Sequence, residues 1–511
     1  MRRFRALKNS GFAIISQIII VILRFLNRRV LVMFLSQEYL GVNGLFSDIL
    51  NMLSVAELGV GSAIIFAMYK PFAEQDIRRV QALVQFYKSS YLKIGCGVTL
   101  AGLALTPFLN FFIKDPGSIE NLKAIYCITL LNSTITYFFS YKTTMLSVGQ
   151  RNYIQNIVDV IFRVLQLLGQ IVILFLTQNY ILYLAVQFLC TTGSYFVLSR
   201  ISQKQYPEYF RKNEQSILEE QEKKKLFKNI KALFIHRMSY FLVNGTDNII
   251  LSKFMGLAAT GVFSNYNLIF NNVFQFFTIP ISAITTTVGN FVACESSESA
   301  RNMFWKLNFA SHWLAVVCGC CLMNLSSSFI ELFFGKQYVL ANAVPIIMTI
   351  NFYLNVMRQT VNAYKDVKGL FWQDRFKPII ESVINLLVGI LLVGKVGVIS
   401  VLLGTTISAL VAGIIEVHII YKYGFEINEK EYYLNYLKNA VVLVLCCILT
   451  ASICGLFTFN TLITWVIRGI ICFGLSNILL VLLYRRKGEY TYYKKFLIEI
   501  MRKLSGWQAE K

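Results

Sequence analysis

The chain has 511 residues and a net charge of +22, and 56% of its residues are hydrophobic while only 15% are charged. Its mean hydropathy of +0.57 excludes a soluble globular protein. The basic residues lie beside apolar segments, so their excess requires no nucleic-acid partner. We predict an all-α polytopic membrane protein with about fourteen transmembrane helices.

The first apolar segment, Gly11–Leu26, follows a basic start and has no small-residue cleavage site after it, so we predict a retained helix. Spans are predicted near residues 11–35, 41–69, 88–113, 119–141, 153–177 and 180–201, then near 230–255, 259–291, 303–334, 343–364, 376–395 and 396–421, with a final pair near 434–457 and 461–484. The resulting segments are an N-terminal six-helix bundle over 1–201, a charged cytoplasmic linker over 202–229, a C-terminal six-helix bundle over 230–425, a two-helix appendage over 426–484 and a basic cytoplasmic tail over 485–511.

The chain also matches itself without a gap at a spacing of about 220 residues, which predicts two bundles related by an internal repeat. The matches are Lys8-Asn9 with Lys228-Asn229, Leu31 with Leu251, Phe34 with Phe254, Gly41-Val42 with Gly261-Val262, Asn51 with Asn271, and Ser62-Ala63-Ile64 with Ser282-Ala283-Ile284. Polar and glycine positions match as well as apolar ones, which argues against chance similarity of apolar segments.

Lys and Arg concentrate before the first span, in the connections after even-numbered spans, and in the tail. Examples are Arg2, Arg3, Arg5, Lys70, Arg78, Arg79, Lys142, Arg151, Lys223-Lys224-Lys225 and Arg485-Arg486-Lys487. By the positive-inside rule, both termini are predicted to be cytoplasmic. Part of the charge would also attract the anionic inner leaflet.

The sequence contains no Walker-type loop, no His pair at metal-ligand spacing and no two Cys-x-x-Cys motifs that could form a paired site. The cysteines lie mostly within predicted spans, where they pack as small apolar residues. We therefore predict no catalytic residues, no metal site and no cofactor.

Ionisable residues at membrane depth are costly unless they face a cavity or a partner. In span one, Arg24 and Arg28 lie four residues apart on one helix face, together with Gln17. The repeat partner of Gln17 is Arg237, and Arg358 lies in span ten. Guanidinium groups facing a cavity favour phosphate, because arginine forms bidentate charge-assisted bonds to it. The alternative is that Arg24 and Arg28 pair with Asp48 or Glu57, or extend to the headgroup layer.

Span two carries Asp48, Asn51, Ser54 and Glu57 at helical spacing, which predicts a polar stripe on one helix. The repeat partner of Asn27 is Asp247.

At several places the sequence resembles the Wzx-like oligosaccharide flippases of the multidrug/oligosaccharidyl-lipid/polysaccharide exporter superfamily. The resembling stretches are Tyr39–Phe46, Ala56–Ala63, Val243–Asn248, Met357–Thr360 and, most specifically, Gly369–Pro378. The resemblance extends from about residue 8 to residue 425 and implies a six-plus-six helix core around a V-shaped cavity. It also implies alternating-access transport of an undecaprenyl-pyrophosphate-linked oligosaccharide.

In this superfamily, flippases use cationic side chains of spans one, two and eight to hold the pyrophosphate. Here span one supplies Arg24 and Arg28, whereas span two is acidic and the region 259–291 has neither Arg nor Lys. The pattern of cationic residues in the cavity of these flippases is therefore only partly present in this sequence.

The predicted substrate-binding residues are Arg24, Arg28, Arg237 and Arg358 for the anion, and Gln17, Asn51 and Asn271 for sugar hydroxyls. Glu57, Asp48 and Asp247 are predicted to couple transport to an ion. Expected partners are membrane lipids, a polysaccharide polymerase and other proteins of the pathway, with no nucleic acid. The expected location is the bacterial plasma membrane. Two alternatives stay open: an ion-coupled drug/cation antiporter of the same superfamily, and a polytopic polysaccharide polymerase, which would need a large external loop.

Overall fold

The computed structural model describes the chain as helices joined by short turns. The described residues are 2–57, 60–115, 119–211, 218, 220, 222–224, 226–227, 230, 245–294, 297–370, 372–457 and 461–509. Across these ranges every regular element is helical, which confirms the predicted fold class.

In the first part of the chain the helices follow one another closely. They are α1 (Arg2–Phe34), α2 (Gln37–Leu53), α3 (Val60–Ala73), α4 (Ile77–Leu105), α5 (Leu122–Val148), α6 (Asn152–Thr177), α7 (Tyr180–Gln205) and the short α8 (Pro207–Phe210). Asp76 caps α4 by accepting from the Arg79 amide at 3.0 Å, and Asn179 caps α7 by accepting from Ile181 and Leu182.

The remaining described helices include two of 38 residues each. They are α9 (Asp247–Met255), α10 (Leu257–Cys294), α11 (Ser297–Phe334), α12 (Ala343–Val367), α13 (Lys377–Val396), α14 (Ile399–Ile419), α15 (Lys430–Cys454), α16 (Leu462–Tyr484) and α17 (Gly488–Ala509). The last helix occupies the segment that the sequence predicted as a basic tail.

Within the described part of the chain, nine helices are long and apolar enough to cross a membrane. Their apolar side chains are largely exposed, as in Phe175 (72%) and Leu391 (71%), which is the pattern of surfaces covered by lipid. Most of the predicted span 230–255 lies outside the described residues.

Predicted span two is the clearest local correction, because it is not one helix. The helix α2 ends at Leu53, and Ser54–Glu57 form a 3₁₀ turn before α3 begins at Val60. The predicted stripe of Asp48, Asn51, Ser54 and Glu57 is therefore divided between two elements. Tyr hydroxyls from other helices bind the turn: Tyr91 donates to Glu57 at 2.9 Å and Tyr137 to Ser54 at 2.9 Å. Such partners make a helix break tolerable at membrane depth.

The chain divides into two compact units, residues 1–264 and 265–511. The division falls inside α10, so the first two turns of this helix belong to the first unit. The domain boundaries inferred from the sequence stay a prediction.

Within the first unit, α2 and the start of α10 cross at a pair of glycines. A Cβ on Gly41 would overlap the backbone carbonyl of Leu257, and a Cβ on Gly261 would overlap the carbonyl of Gln37. Both pairs of positions are related by the repeat spacing, Gln37 with Leu257 and Gly41 with Gly261. The contact is therefore reciprocal, and only glycine permits helix backbones to approach this closely.

Candidate functional site

Asn27, near the end of α1, fixes that helix against two others in the first unit. Its Nδ2 donates to Gln170 Oε1 on α6, and its Oδ1 accepts a hydrogen bond from the Tyr183 hydroxyl on α7. Gln170 Nε2 in turn donates to the backbone carbonyl of Tyr183 at 3.1 Å. Because Asn27 bonds side chains of both neighbouring helices and Gln170 also bonds the Tyr183 backbone, the backbone next to Arg28 is held in place.

The guanidinium group of Arg28 is only partly hydrogen-bonded within the first unit. Its Nη2 donates to Ser264 Oγ on α10, whereas its Nε is buried and has no hydrogen-bond partner among the described residues. The hydroxyls of Tyr180 and Tyr183 lie close enough to interact with its charge. Buried polar atoms are normally paired, so an unpaired guanidinium N–H is a donor available to an anion.

Arg24 lies one turn earlier on α1 and is exposed. The like charge of Arg163 on α6 acts on it. The part of the chain that the structure describes shows no ion pair between Arg24 or Arg28 and the carboxylates considered as alternatives, Asp48 and Glu57.

A cavity of about 300 Å³ opens in the first unit between α2, α5 and α7. It is lined by Asn43, Ser47, Leu50, Asn51, Ile128, Thr129, Asn132, Ser133, Tyr180, Leu184 and Gln187. Each of these residues is uncharged, and most offer a hydroxyl or an amide. Of the predicted site residues, Asn51 is the one that lines it.

Two carboxylates lie near each other in the same unit. Asp48 Oδ2 accepts from Asn248 Nδ2 at 2.9 Å, and the charge of Asp48 acts on Asp247 at the start of α9. Asp247 Oδ1 is buried without a partner among the described residues. Two carboxylates this close cannot both ionise cheaply, so the pair is suited to hold a proton or a small cation. Glu57 lies apart from them, in the helix break.

Arg358, in the second unit, is engaged on all sides. It makes a bidentate pair with Glu381 on α13, at 2.6 and 3.1 Å, and a second pair with Glu416 on α14, at 2.9 and 2.8 Å. Lys377 also donates to Glu416 at 2.7 Å, and Lys365 binds Asp374. This geometry favours a structural role for Arg358, because a phosphate would have to displace one of its carboxylates.

The other predicted residues are dispersed. Gln17 is half-buried on α1, Asn271 is exposed on α10 in the second unit, and Arg237 lies outside the described residues. The structure thus brings Arg24 and Arg28 together on α1, and Asp48 and Asp247 close to each other.

Sequence reasoning missed most of the cavity. Asn43 and Ser47 could have been found with Asn51, since the three are spaced by four residues on one face of α2. Asn132 and Gln187 carry no such signal, because single amides in apolar helices are as often packing contacts. Within the described ranges, no group of three or more His, Cys, Asp or Glu residues could hold a metal ion.

No protein-family model matches the chain, and no curated protein matches it. Solved structures do match. The structure of the lipid II flippase MurJ in an inward closed conformation has a TM-score of 0.61 at 15% sequence identity, covering 93% of this chain and 98% of that one.

An inward-facing multidrug resistance MATE family transporter of the MOP superfamily matches with a TM-score of 0.59 at 14% identity, covering 78% of this chain and 93% of that one. A Vibrio cholerae MATE transporter has a TM-score of 0.54 at 11% identity, with coverages of 82% and 97%. The chain therefore has the fold shared by these MOP-type transporters. At these identities the likeness establishes the fold and leaves the substrate to be argued from the residues.

Proposed function

We propose that the protein is a flippase that moves an undecaprenyl-pyrophosphate-linked oligosaccharide from the cytoplasmic to the outer leaflet of the bacterial plasma membrane, for capsule, exopolysaccharide or O-antigen synthesis. The observation that carries the proposal is Arg28, a half-buried residue whose Nε atom is buried and unpaired and which has no carboxylate partner among the described residues. An unneutralised cation at membrane depth is costly, and an anionic substrate group would offset that cost.

In this proposal Arg24 and Arg28 bind the pyrophosphate, which arginine can grip with bidentate bonds. Asn51, which lines the cavity of the first unit, offers a hydrogen bond to a sugar hydroxyl, whereas the roles of Gln17, Asn271 and Arg237 stay predictions from the sequence. The two bundles then alternate access between the two sides of the membrane. A protein of this kind transports its substrate and catalyses no covalent step.

Ion coupling is the second part of the proposal. Asp48 and Asp247 are the best-placed carboxylates, since they interact with each other and Asp247 has an unpaired buried oxygen. Glu57 is the remaining candidate, held by the Tyr91 hydroxyl at a helix break. Broken helices often form ion sites in transporters.

A drug/cation antiporter is a second candidate, favoured by the same two carboxylates and by the fold shared with MATE transporters. Against it stands the uncharged cavity, because an organic cation would be held best by a carboxylate.

The test is transport of fluorescent undecaprenyl-pyrophosphate oligosaccharide in proteoliposomes. We expect movement by the wild type and loss of movement in Arg24→Ala plus Arg28→Ala. The matched control, Arg485→Ala plus Arg486→Ala, removes two exposed arginines after α16 and should retain transport. Absence of lipid movement by the wild type, together with efflux of cationic dyes, would replace the flippase by the antiporter.

A further inference from the structure

We propose that the cavity between α2, α5 and α7 is the subsite for the first sugar of the substrate, read by Asn43, Asn132, Gln187 and Tyr180. The inference rests on the proposed function and adds to it the residues that distinguish a glycan-bearing lipid from the bare lipid pyrophosphate.

The polar groups of the cavity come from three helices. On α2 they are Asn43, Ser47 and Asn51, and on α5 Thr129, Asn132 and Ser133. On α7 they are Tyr180 and Gln187, which share one helix face with the apolar Leu184. Side chains on three packed helices thus converge on one space, which is the arrangement of a built site rather than of scattered polar positions.

The chemistry of the lining selects a neutral ligand with many hydroxyls. An amide offers both donors and an acceptor, and a hydroxyl does the same, so both complement sugar hydroxyls. No lining residue carries a charge. A pyrophosphate would lack a cation here, and a cationic drug would lack a carboxylate.

One residue that lines the cavity has an unsatisfied polar atom. Asn132 Oδ1 is buried and has no hydrogen-bond partner in the described part of the chain. An unpaired buried acceptor costs free energy until a donor reaches it, and a sugar hydroxyl would supply that donor. The hydroxyl of Thr129, in contrast, already donates to the Ile125 carbonyl at 2.8 Å.

The cavity also adjoins the proposed anion site. Tyr180 lines the cavity and lies close enough to Arg28 for the two groups to interact. A pyrophosphate at Arg28 would therefore direct the sugar attached to it toward the cavity. The volume of about 300 Å³ lies at the lower end of the range for small-molecule sites, which suits the first sugar.

The experiment measures the affinity of the purified full-length protein for two kinds of lipid. The first is undecaprenyl pyrophosphate, and the second is a panel of the same lipid carrying one glucose, galactose or N-acetylglucosamine. The variants are Asn132→Leu and Gln187→Leu. The matched control is Asn156→Leu, a half-buried amide on α6 outside the cavity.

We expect at least one glycolipid to bind the wild type more tightly than the bare lipid. Each cavity variant should lose roughly tenfold in affinity for that glycolipid, as one unpaired hydrogen-bonding group costs. Affinity for the bare lipid should be unchanged, and Asn156→Leu should behave as the wild type. Gel filtration and the Tm of each variant establish that it is folded, and either cavity variant suffices if the other fails this check.

Two results overturn the inference in different ways. The first result is that the sugar adds no affinity, or that the variants lose affinity equally for the bare lipid and the glycolipid. In that case the cavity does not bind the sugar, while the flippase proposal stands. If the wild type binds neither lipid, the proposed function fails and the subsite fails with it.

Discussion

The Arg358 side chain meets two carboxylates on different helices, and Lys377 supports one of them. Glu416 is fully buried and Glu381 nearly so. Buried ion pairs gain little over apolar packing, but removing one partner leaves an uncompensated charge. The contribution of this network to stability is therefore measured best by removing one of its charged side chains.

We expect Arg358→Gln to lower the free energy of unfolding by about 3–5 kcal/mol, seen as a lower Tm in detergent. Arg486→Gln is the control, because that side chain is exposed and surface changes are nearly neutral. If Arg358 instead contacts substrate, the variant will keep its Tm and lose affinity for undecaprenyl pyrophosphate.

His312 on α11 shows how hydrogen bonds define a tautomer in the second unit. The Tyr484 hydroxyl donates to Asn439 Oδ1 at 2.7 Å and lies 3.1 Å from His312 Nε2. Because the single hydroxyl proton of Tyr484 is donated to Asn439, the hydroxyl oxygen accepts a hydrogen bond from His312. The Nε2 atom of His312 therefore carries the hydrogen. Nδ1 then accepts from the Tyr353 hydroxyl at 3.1 Å. This chain of bonds joins α11 and α12 to the final helix pair, α15 and α16.

Removing the Tyr484 hydroxyl should show how much this series of hydrogen bonds contributes to stability. Tyr484→Phe leaves His312 Nε2–H and Asn439 Oδ1 unpaired, and each buried unpaired group costs about 1–3 kcal/mol. We expect a clear fall in Tm, whereas Tyr423→Phe, at a ring that is 48% exposed, should leave Tm unchanged. Equal Tm values for the two variants would mean that water replaces the lost hydroxyl.

Among the helices, the crossing of α2 and α10 gives the sharpest expectation. Gly41→Ala and Gly261→Ala each place a methyl group against a backbone carbonyl of the other helix. Overpacking of this kind costs about 1–3 kcal/mol, and the reciprocity of the contact predicts similar losses at the two sites. Thermal unfolding in detergent measures both.

The control for the crossing is another helical glycine. A Cβ on Gly97 in α4 would meet no atom within 4 Å, so Gly97→Ala should stabilise the protein by up to about 1 kcal/mol through helix propensity. A stabilising effect of Gly41→Ala as well would contradict the close crossing.

The helices show what hydropathy can and cannot predict. Long apolar runs such as Leu462–Tyr484 were found within a few residues, because membrane thickness fixes their length. The break at Ser54–Glu57 was missed, since it depends on Tyr91 and Tyr137, which come from other elements. The cavity was missed for the same reason: Asn132 and Gln187 gain meaning only when α5 and α7 meet.

On the scale of the whole molecule, the net charge of +22 is partly carried by α17 and the turn before it. Tyr490 stacks on Trp313 and Tyr493 on Phe309, while the Tyr493 hydroxyl donates to the Lys306 carbonyl at 3.2 Å. One face of α17 is thus bound to α11. Lys494 and Lys495 are exposed.

We expect this helix to make stability dependent on anionic lipid. Basic residues near an anionic surface gain about 1 kcal/mol each, so Tm should be higher in phosphatidylglycerol than in phosphatidylcholine nanodiscs. Lys494→Gln plus Lys495→Gln should reduce that difference, as should added salt. The control is Lys336→Gln plus Lys395→Gln, at predicted external positions, which should leave the Tm difference between the two kinds of nanodisc unchanged. If both pairs of substitutions reduce that difference equally, the effect depends on total charge and not on α17.

The reciprocal contact of Gly41 and Gly261 has an evolutionary consequence. Residue 41 meets residue 257 while residue 261 meets residue 37, which is the rule of an isologous interface between identical chains. Under the predicted duplication, an ancestral chain of one repeat would make this contact with a second copy of itself. Because each glycine meets a different carbonyl of the other helix, the two alanine substitutions do not relieve each other, and the double variant should unfold at a lower temperature than either single variant.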